Sequence, residues 1–401
     1  MYSYVEHWQS NVVLILHYVL VALYIFGAGH NGNMRIALVS DCYPPRLGGI
    51  ETQVRSLAWA LAAAGHDVTV ITATPDGSER GEHTEVSEGV TVLRLTTRMP
   101  GDLPVNPWVS GRLRELLPIF DAVHIHTGIV SPFARMATTA CLATDTRAVI
   151  TWHCHLIDAT PWYRFVNPLQ AWQERGMILT AVSSPAADAI EAAARGRVTV
   201  DVLPNLIERE PWGSIRRIAR PGEAAGVLRV VTATRLAGRK RVLPLAKLVA
   251  DARRGAPVRL DVYGDGPQRA ELARLIRHGA PVRILGRVGP QELAGAYRDA
   301  DLFISPVIKE AFGIAALEAR AAGLPVIYRR GSGIAEFITH GRDGLEVTSD
   351  EEMSAALVSL HRDRERLRAL RDYCLTHPIA HTWDAGLAQF VRAYERLGER
   401  T

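Results

Sequence analysis

Residues 304–327 read I-S-P-V-I-K-E-A-F-G-I-A-A-L-E-A-R-A-A-G-L-P-V-I, and the architecture of the chain follows from how they are read. The apolar run 300–305 ends at Pro306 and predicts a buried strand. A loop with Glu310, Phe312 and Gly313 follows, and then a helix over 314–322 that Gly323 stops. A second strand runs through 325–328. Such a unit leaves unpaired backbone N–H groups at the helix start, near Phe312, Gly313 and Ile314, where the macrodipole favours an anion. Glu310 lies before that point, and Glu318 lies on the helix a little more than two turns beyond Glu310. A carboxylate beside a bound anion would repel it, so the pair is better suited to accept hydrogen bonds from hydroxyls. Phosphate at the helix end with a polyol on either side describes a nucleotide-sugar.

Two glutamates separated by seven residues would alone be read as solvated side chains of an ordinary strand–loop–helix. Here Ser305-Pro306 precedes them, Phe312-Gly313 lies between, and A-A-G-L-P-V follows at 321–326. Together these resemble the E-x7-E element of retaining GT-B glycosyltransferases of family 4. The resemblance covers residues 34–398. It implies an α/β protein of two doubly wound Rossmann-like domains facing a cleft, with the C-terminal helix crossing back to the first domain. The expected division is an apolar extension at 1–33, an acceptor-side domain at 34–208 and a linker at 209–226. A donor-binding domain at 227–380 and a returning helix at 381–398 complete it.

Length and composition agree with that division. A chain of 401 residues suits two α/β cores, and 48% hydrophobic content is that of a globular protein. A net charge of +4 gives no reason to expect nucleic acid as a partner. Only Lys240, Lys247 and Lys309 are lysines among 46 basic residues, which with the many alanines resembles the usage of a GC-rich bacterial genome. Cys42, Cys141, Cys154 and Cys374 form no paired spacing, as suits a reducing cytosol. His153-Cys154-His155 is not read as a metal site, because successive residues of an extended segment point to opposite faces and no second ligand cluster appears.

Residues 12–28 are apolar and near the ~20 residues a membrane span needs, but no Lys or Arg precedes them. A membrane anchor, a signal peptide and translation from a start upstream of the native one are the three readings, of which the last is preferred. Residues 34–40 predict the first strand. Gly48 and Gly49 then allow a tight loop that brings backbone near a ligand, ahead of a helix over 51–64. The run 121–127 ends a strand at His126, beyond which ligands of open α/β sheets bind. A histidine that merely caps a strand is the plainer alternative, while the resemblance implies that His126 lies against the donor sugar. His124 shares its strand face but lies deeper. Trp152, Trp162, Tyr163, Phe165 and Trp172 make an aromatic stretch. It can line an acceptor site, touch lipid, or simply pack a long loop.

In the second half, Arg235 and Lys240 follow a strand at 228–233, and the resemblance implies that they clamp the donor diphosphate. The turn Gly264-Asp265-Gly266-Pro267 resembles the family's G-x-G-P, and backbone near Val288 is implied to meet the base. The family usually has Asn-Gly where Asn205-Leu206 stands here. The run 350–372 predicts a single charged helix whose charges face water.

The resemblance therefore implies sugar transfer, with retained configuration, from a nucleotide-diphosphate donor to an acceptor hydroxyl in a glycan, glycolipid or small molecule. His126, Lys240 and Glu310 are the implied catalytic residues. Gly48, Gly49, Arg235, Gly264, Val288, Phe312, Gly313, Ile314 and Glu318 complete the implied donor site. No metal and no cofactor beyond the donor substrate are expected. A cytoplasmic setting is implied, at the inner face of the membrane with peripheral or N-terminal membrane contact where the acceptor is lipid-linked, as in cell-envelope glycan assembly. The alternatives are a nucleotide-sugar epimerase or hydrolase of the same fold, or a non-catalytic nucleotide-sugar-binding module. A dinucleotide dehydrogenase is disfavoured, because no G-x-G-x-x-G follows the first strand.

Overall fold

Consecutive apolar residues at 36–39, 148–150 and 302–304 form inner strands, as expected for parallel sheets covered on both faces, while 258–262 alternates apolar with charged residues. The computed structural model describes residues 33–46, 48–77, 80–99, 103–156, 168–213 and 226–399. The apolar segment 12–28, the aromatic residues 162, 163 and 165 and most of the linker expected at 209–226 lie outside them.

The first sheet contains β1 (Arg35–Ser40), β2 (Asp67–Thr72), β3 (Gly81–Ser87) and β4 (Val90–Thr96). It continues with β5 (Ala122–Thr127), β6 (Ala148–Trp152), β7 (Ile178–Ala181) and β8 (Asp201–Val202). Their spatial order is β3-β4-β2-β1-β5-β6-β7-β8. The second sheet contains β9 (Leu228–Ala233), β10 (Val258–Tyr263), β11 (Val282–Gly286), β12 (Leu302–Ser305), β13 (Val326–Arg329) and β14 (Gly344–Val347). Its order is β11-β10-β9-β12-β13-β14. Every pair is parallel except β3 with β4. The α/β expectation of two doubly wound, Rossmann-like domains is met.

Each sheet grows from its first strand in one direction and then restarts on the other side. The reversals fall between β1 and β5 and between β9 and β12. Loops leaving adjacent strands diverge there, which opens the crevice where such sheets bind ligands. Gly48 and Gly49 follow β1, His126 is the penultimate residue of β5, Arg235 and Lys240 follow β9, and Glu310 to Ile314 follow β12.

The helix Trp383–Gly398 crosses back onto the first sheet, as expected. Its buried residues Trp383, Gly386, Phe390, Ala393, Tyr394 and Leu397 recur at helical spacing. Burying Phe390 and Leu397 contributes about 1.5–3 kcal/mol each. Tyr394 Oη pairs with His124 Nδ1 at 2.8 Å, beneath the sheet surface. Leu206, where the family pattern has glycine, fills the space beside Gly386; a Cβ at Gly386 would stand 2.6 Å from it. The Gln53 side chain satisfies both the N–H and the carbonyl of Leu206.

One strand lies outside the sequence reading, and two features of the run 350–372 differ from it. The strand β3 pairs with β4 through Glu88 and Gly89, both at positive φ, 52° and 79°. That is the two-residue hairpin geometry that favours glycine at its second position. The single helix expected over 350–372 is two, Asp350–Arg362 and Arg364–Thr376. Asp363 separates them because its carboxylate accepts from Arg366 N at 2.9 Å and caps the second helix. Nor do all charges of that run face water. Arg371 is buried and bonds the carbonyl of Ala300 at 3.2 Å, beside Asp301. Of the aromatic stretch, Trp152 and Trp172 stack within the first core, with ring centroids 6.4 Å apart.

Candidate active site

The loop after β9 turns through the short helix Gly238–Lys240, and the loop after β12 enters the helix Ile314–Ala321. Lys240 Nζ donates to Glu310 Oε2 at 2.6 Å, with both side chains mostly withdrawn from water. Residues 70 apart in the chain, singled out separately in the sequence, are thus one ion pair. Arg235, two residues beyond β9, is exposed. Gly313 adopts a left-handed φ of 91°, and a Cβ there would lie 2.6 Å from Ile334. Among the described residues no side chain caps the helix it opens; Ala316 N turns back to the Gly313 carbonyl at 2.9 Å, which leaves the amides of Ile314 and Ala315 to face a ligand. Glu318, half-buried on that helix, has its carboxyl pushed by burial from 4.5 up to about 8. It is therefore a neutral acid near pH 7, able to donate one hydrogen bond and accept others.

The turn after β10 is laced to the loop after β9. Leu236 N donates to Asp265 O at 3.0 Å, and Gln268 N donates to Leu236 O at 2.9 Å. This closeness demands glycine. Gly264 has φ 137°, and a Cβ on it would stand 1.9 Å from the Thr234 carbonyl oxygen. Gly264→Ala is expected to cost about 1–3 kcal/mol of stability and to displace Arg235. Urea denaturation checks this, and a loss below about 0.5 kcal/mol would show that the loop yields freely. Gly264 N donates to Gly286 O at 2.6 Å, which sets the loop bearing half-buried Val288 beside this turn.

From the first sheet, Gly49 approaches the same place, since a Cβ on it would lie 3.4 Å from Ile314 Cδ1. Gly48 is fully extended and opens the helix Gly49–Ala63. His126 is buried, with Nδ1 3.0 Å from His153 Nε2 and its ring 4.0 Å from that of His124. No hydrogen bond joins it to Lys240 or Glu310 among the described residues, and its buried Nε2 has no hydrogen-bond partner there. Desolvation holds all three rings neutral, with His124 at about 3, His153 at about 4 and His126 well below its usual value. Because the unfolded chain protonates these histidines first, they contribute stability above about pH 6.5 that is lost on acidification through pH 4 to 3. The melting temperature should fall steeply between about pH 6.5 and 4.5, and His153→Gln should flatten that slope. An unchanged slope would remove the cluster as its cause.

His153, His155, Asn205 and Ser183 are the residues that sequence reasoning missed. His153 follows β6, and His126 is the penultimate residue of β5, so the strand-end rule that found one could have found the other. His153 pairs with Asn205 and His126, whereas His155 turns the other way and donates to the Glu310 carbonyl at 3.2 Å. Where residues alternate with His126 on the sheet's other face, a cavity of about 400 Å³ opens, lined by Thr127, Ile129, Val130, Arg135, Trp152 and Trp172. The Arg135 guanidinium lies 5.9 Å above the Trp172 ring.

Residues 47–210 match the pattern of Glycosyltransferase Family 4, and residues 228–363 match that of the Glycosyl transferases group 1. The chain belongs to glycosyltransferase family 4. Among its relatives is the glycogen synthase of Mycobacterium tuberculosis, 29% identical over 92% of this chain and 96% of that protein. Another is the GDP-mannose-dependent alpha-(1-6)-phosphatidylinositol monomannoside mannosyltransferase of the same organism, 28% identical over 89% of this chain and 98% of that protein. Sucrose-phosphate synthase from Thermosynechococcus elongatus shares the GT-B fold with a TM-score of 0.69 at 21% identity, covering 91% of this chain and 99% of that one. Anabaena HepE, solved in complex with UDP-glucose, has a TM-score of 0.67 at 15% identity, covering 90% and 100%. In this family-4 chain the GT-B fold and the E-x7-E element therefore occur together.

Proposed function

We propose that this family-4 transferase moves a sugar from a nucleotide-diphosphate donor to an acceptor hydroxyl with the anomeric configuration retained. The observation that carries the proposal is the Lys240–Glu310 pair at the β9–β12 switch point, beside an uncapped helix N-terminus. Lys240, Arg235 and the first-turn amides of Ile314–Ala321 stabilise charge on the departing diphosphate, a preorganised electrostatic contribution that usually dominates. Glu310 holds donor-sugar hydroxyls and Glu318 the ribose diol. His126 meets the sugar from the first domain. The leaving phosphate takes the acceptor proton on the same face, so these fixed cationic groups do the work without a metal. The domain at 34–208 is the acceptor side and that at 227–380 the donor side.

The acceptor in this reading carries an apolar body beside its hydroxyl, as a lipid-linked glycan does. The tryptophan-lined cavity supports it, and so does the relative named for a phosphatidylinositol monomannoside. Such a reaction belongs at the cytoplasmic face of a membrane. Among the described residues no helix is long and apolar enough to cross one.

Thermal-shift screening with UDP-glucose, ADP-glucose and GDP-mannose tests the donor class, because a ligand that binds only the folded state raises its stability. Proton NMR of the product tests retention. Absence of stabilisation by all three donors, or an inverted product, would overturn the reading.

A further inference from the structure

The loop that carries Glu310 belongs to the second sheet's half, yet side chains of the first half hold its backbone. His155 Nε2 donates to the Glu310 carbonyl at 3.2 Å, and Ser183 Oγ donates to the Ala311 carbonyl. Gly333 N adds a bond to the Glu310 carbonyl at 2.8 Å. The packing there is close, since a Cβ on Gly333 would lie 2.1 Å from Ala311 O and 2.8 Å from Ser183 Oγ. Next to it, Ser184 N donates to Glu336 Oε1 at 2.7 Å. Glu310 is therefore held at both ends, its carboxylate by Lys240 and its carbonyl by His155.

We infer that His155 and Ser183 are positioning residues that aim Glu310 at the donor sugar, so that the first half of the molecule completes the donor site of the second. The inference rests on the reading of Glu310 as the sugar-holding carboxylate. A carboxylate must be held to a fraction of an ångström to act on one hydroxyl, and a loop carbonyl that loses one of its two donors no longer fixes that position. Arg235 and the helix amides lie outside this linkage, and Lys240 meets only the carboxylate end of Glu310, away from the carbonyl that His155 holds. Binding of a bare diphosphate should accordingly be indifferent to it.

The test compares His155→Leu, His155→Gln and Ser183→Ala in the full chain. Affinity for UDP, ADP and GDP is measured by calorimetry, and turnover by nucleoside diphosphate release from UDP-glucose, ADP-glucose and GDP-mannose. His155→Leu and Ser183→Ala should each lower kcat about five- to tenfold, the scale of one lost hydrogen bond, with diphosphate affinity unchanged within about twofold. His155→Gln, whose amide can donate from the same place, should recover most of the loss. Wild-type kcat in both His155→Leu and Ser183→Ala overturns the inference, as does a glutamine variant no better than leucine. A fall in diphosphate affinity that tracks the melting temperature would also overturn it, by showing a purely structural role. If the wild type binds none of the three diphosphates and turns over none of the three donors, the donor-site reading fails and takes the inference with it. Donor turnover with silent variants sinks the inference alone.

Discussion

Replacing Lys240 with alanine is expected to lower turnover at saturating donor by about 10²–10³-fold, the scale for removing one preorganised donor from a developing charge. The effect should fall on kcat more than on folding. Lys240 sits at the end of a short surface helix rather than in either core, and its side chain pairs with Glu310. The ammonium is useful because it is a compact charge already held in place, and Arg at this position would present a wider fork with different reach. Steady-state release of nucleoside diphosphate measures the change, with circular dichroism as the folding control. Turnover equal to wild type would remove Lys240 from the mechanism.

Glu318→Ala is expected to weaken nucleoside diphosphate and nucleotide-sugar alike, by about 1.5–3 kcal/mol, as for hydrogen bonds to a charged group. Glu310→Ala should weaken only the sugar-bearing donor. The 2.6 Å pair sharpens that second expectation: without Glu310, Lys240 loses its competing anion, so diphosphate affinity holds or rises. Calorimetry separates the two variants, and parallel losses for the same ligands would refute the division of roles. The raised Glu318 pKa adds a pH signature. Two ribose hydroxyl donors favour the carboxylate, so binding lowers a pKa of about 8, releases a proton at neutral pH and strengthens as pH rises to about 8. Folding stability runs the opposite way. The unfolded chain ionises from 4.5, so this residue's contribution declines between 4.5 and about 8. Glu318→Gln should abolish the proton release, and its persistence would assign the titration to another group.

Legibility followed the range of the interactions. Strand β9 forms over the stretch 228–233 and β12 within the apolar run 300–305, because a buried parallel strand carries its signal in consecutive residues. The Glu310–Glu318 spacing was equally local. The break at Asp363 was misread because charge patterning was weighed and capping was not, although an aspartate three residues before Arg366 carried the cue. The pairing of His155 with the Glu310 carbonyl spans 155 residues, and that of His124 with Tyr394 spans 270. Nothing in the neighbourhood of either residue announces its partner, since only the packed sheets bring them together.

The returning helix has a mechanical consequence. The chain passes between the two halves twice, once after β8 and once before Trp383. The two passages are bonded side by side: Ile207 N donates to His381 O at 3.1 Å, and Trp383 N donates to Ile207 O at 3.3 Å. A single tether would let one half swivel about any axis, whereas two tethers joined at one level leave chiefly a bending motion about that line. Opening of the crevice then has one principal degree of freedom. Under that constraint a closing motion would bring the Glu310 loop back to His155 and Ser183 along one arc, with no rotational search.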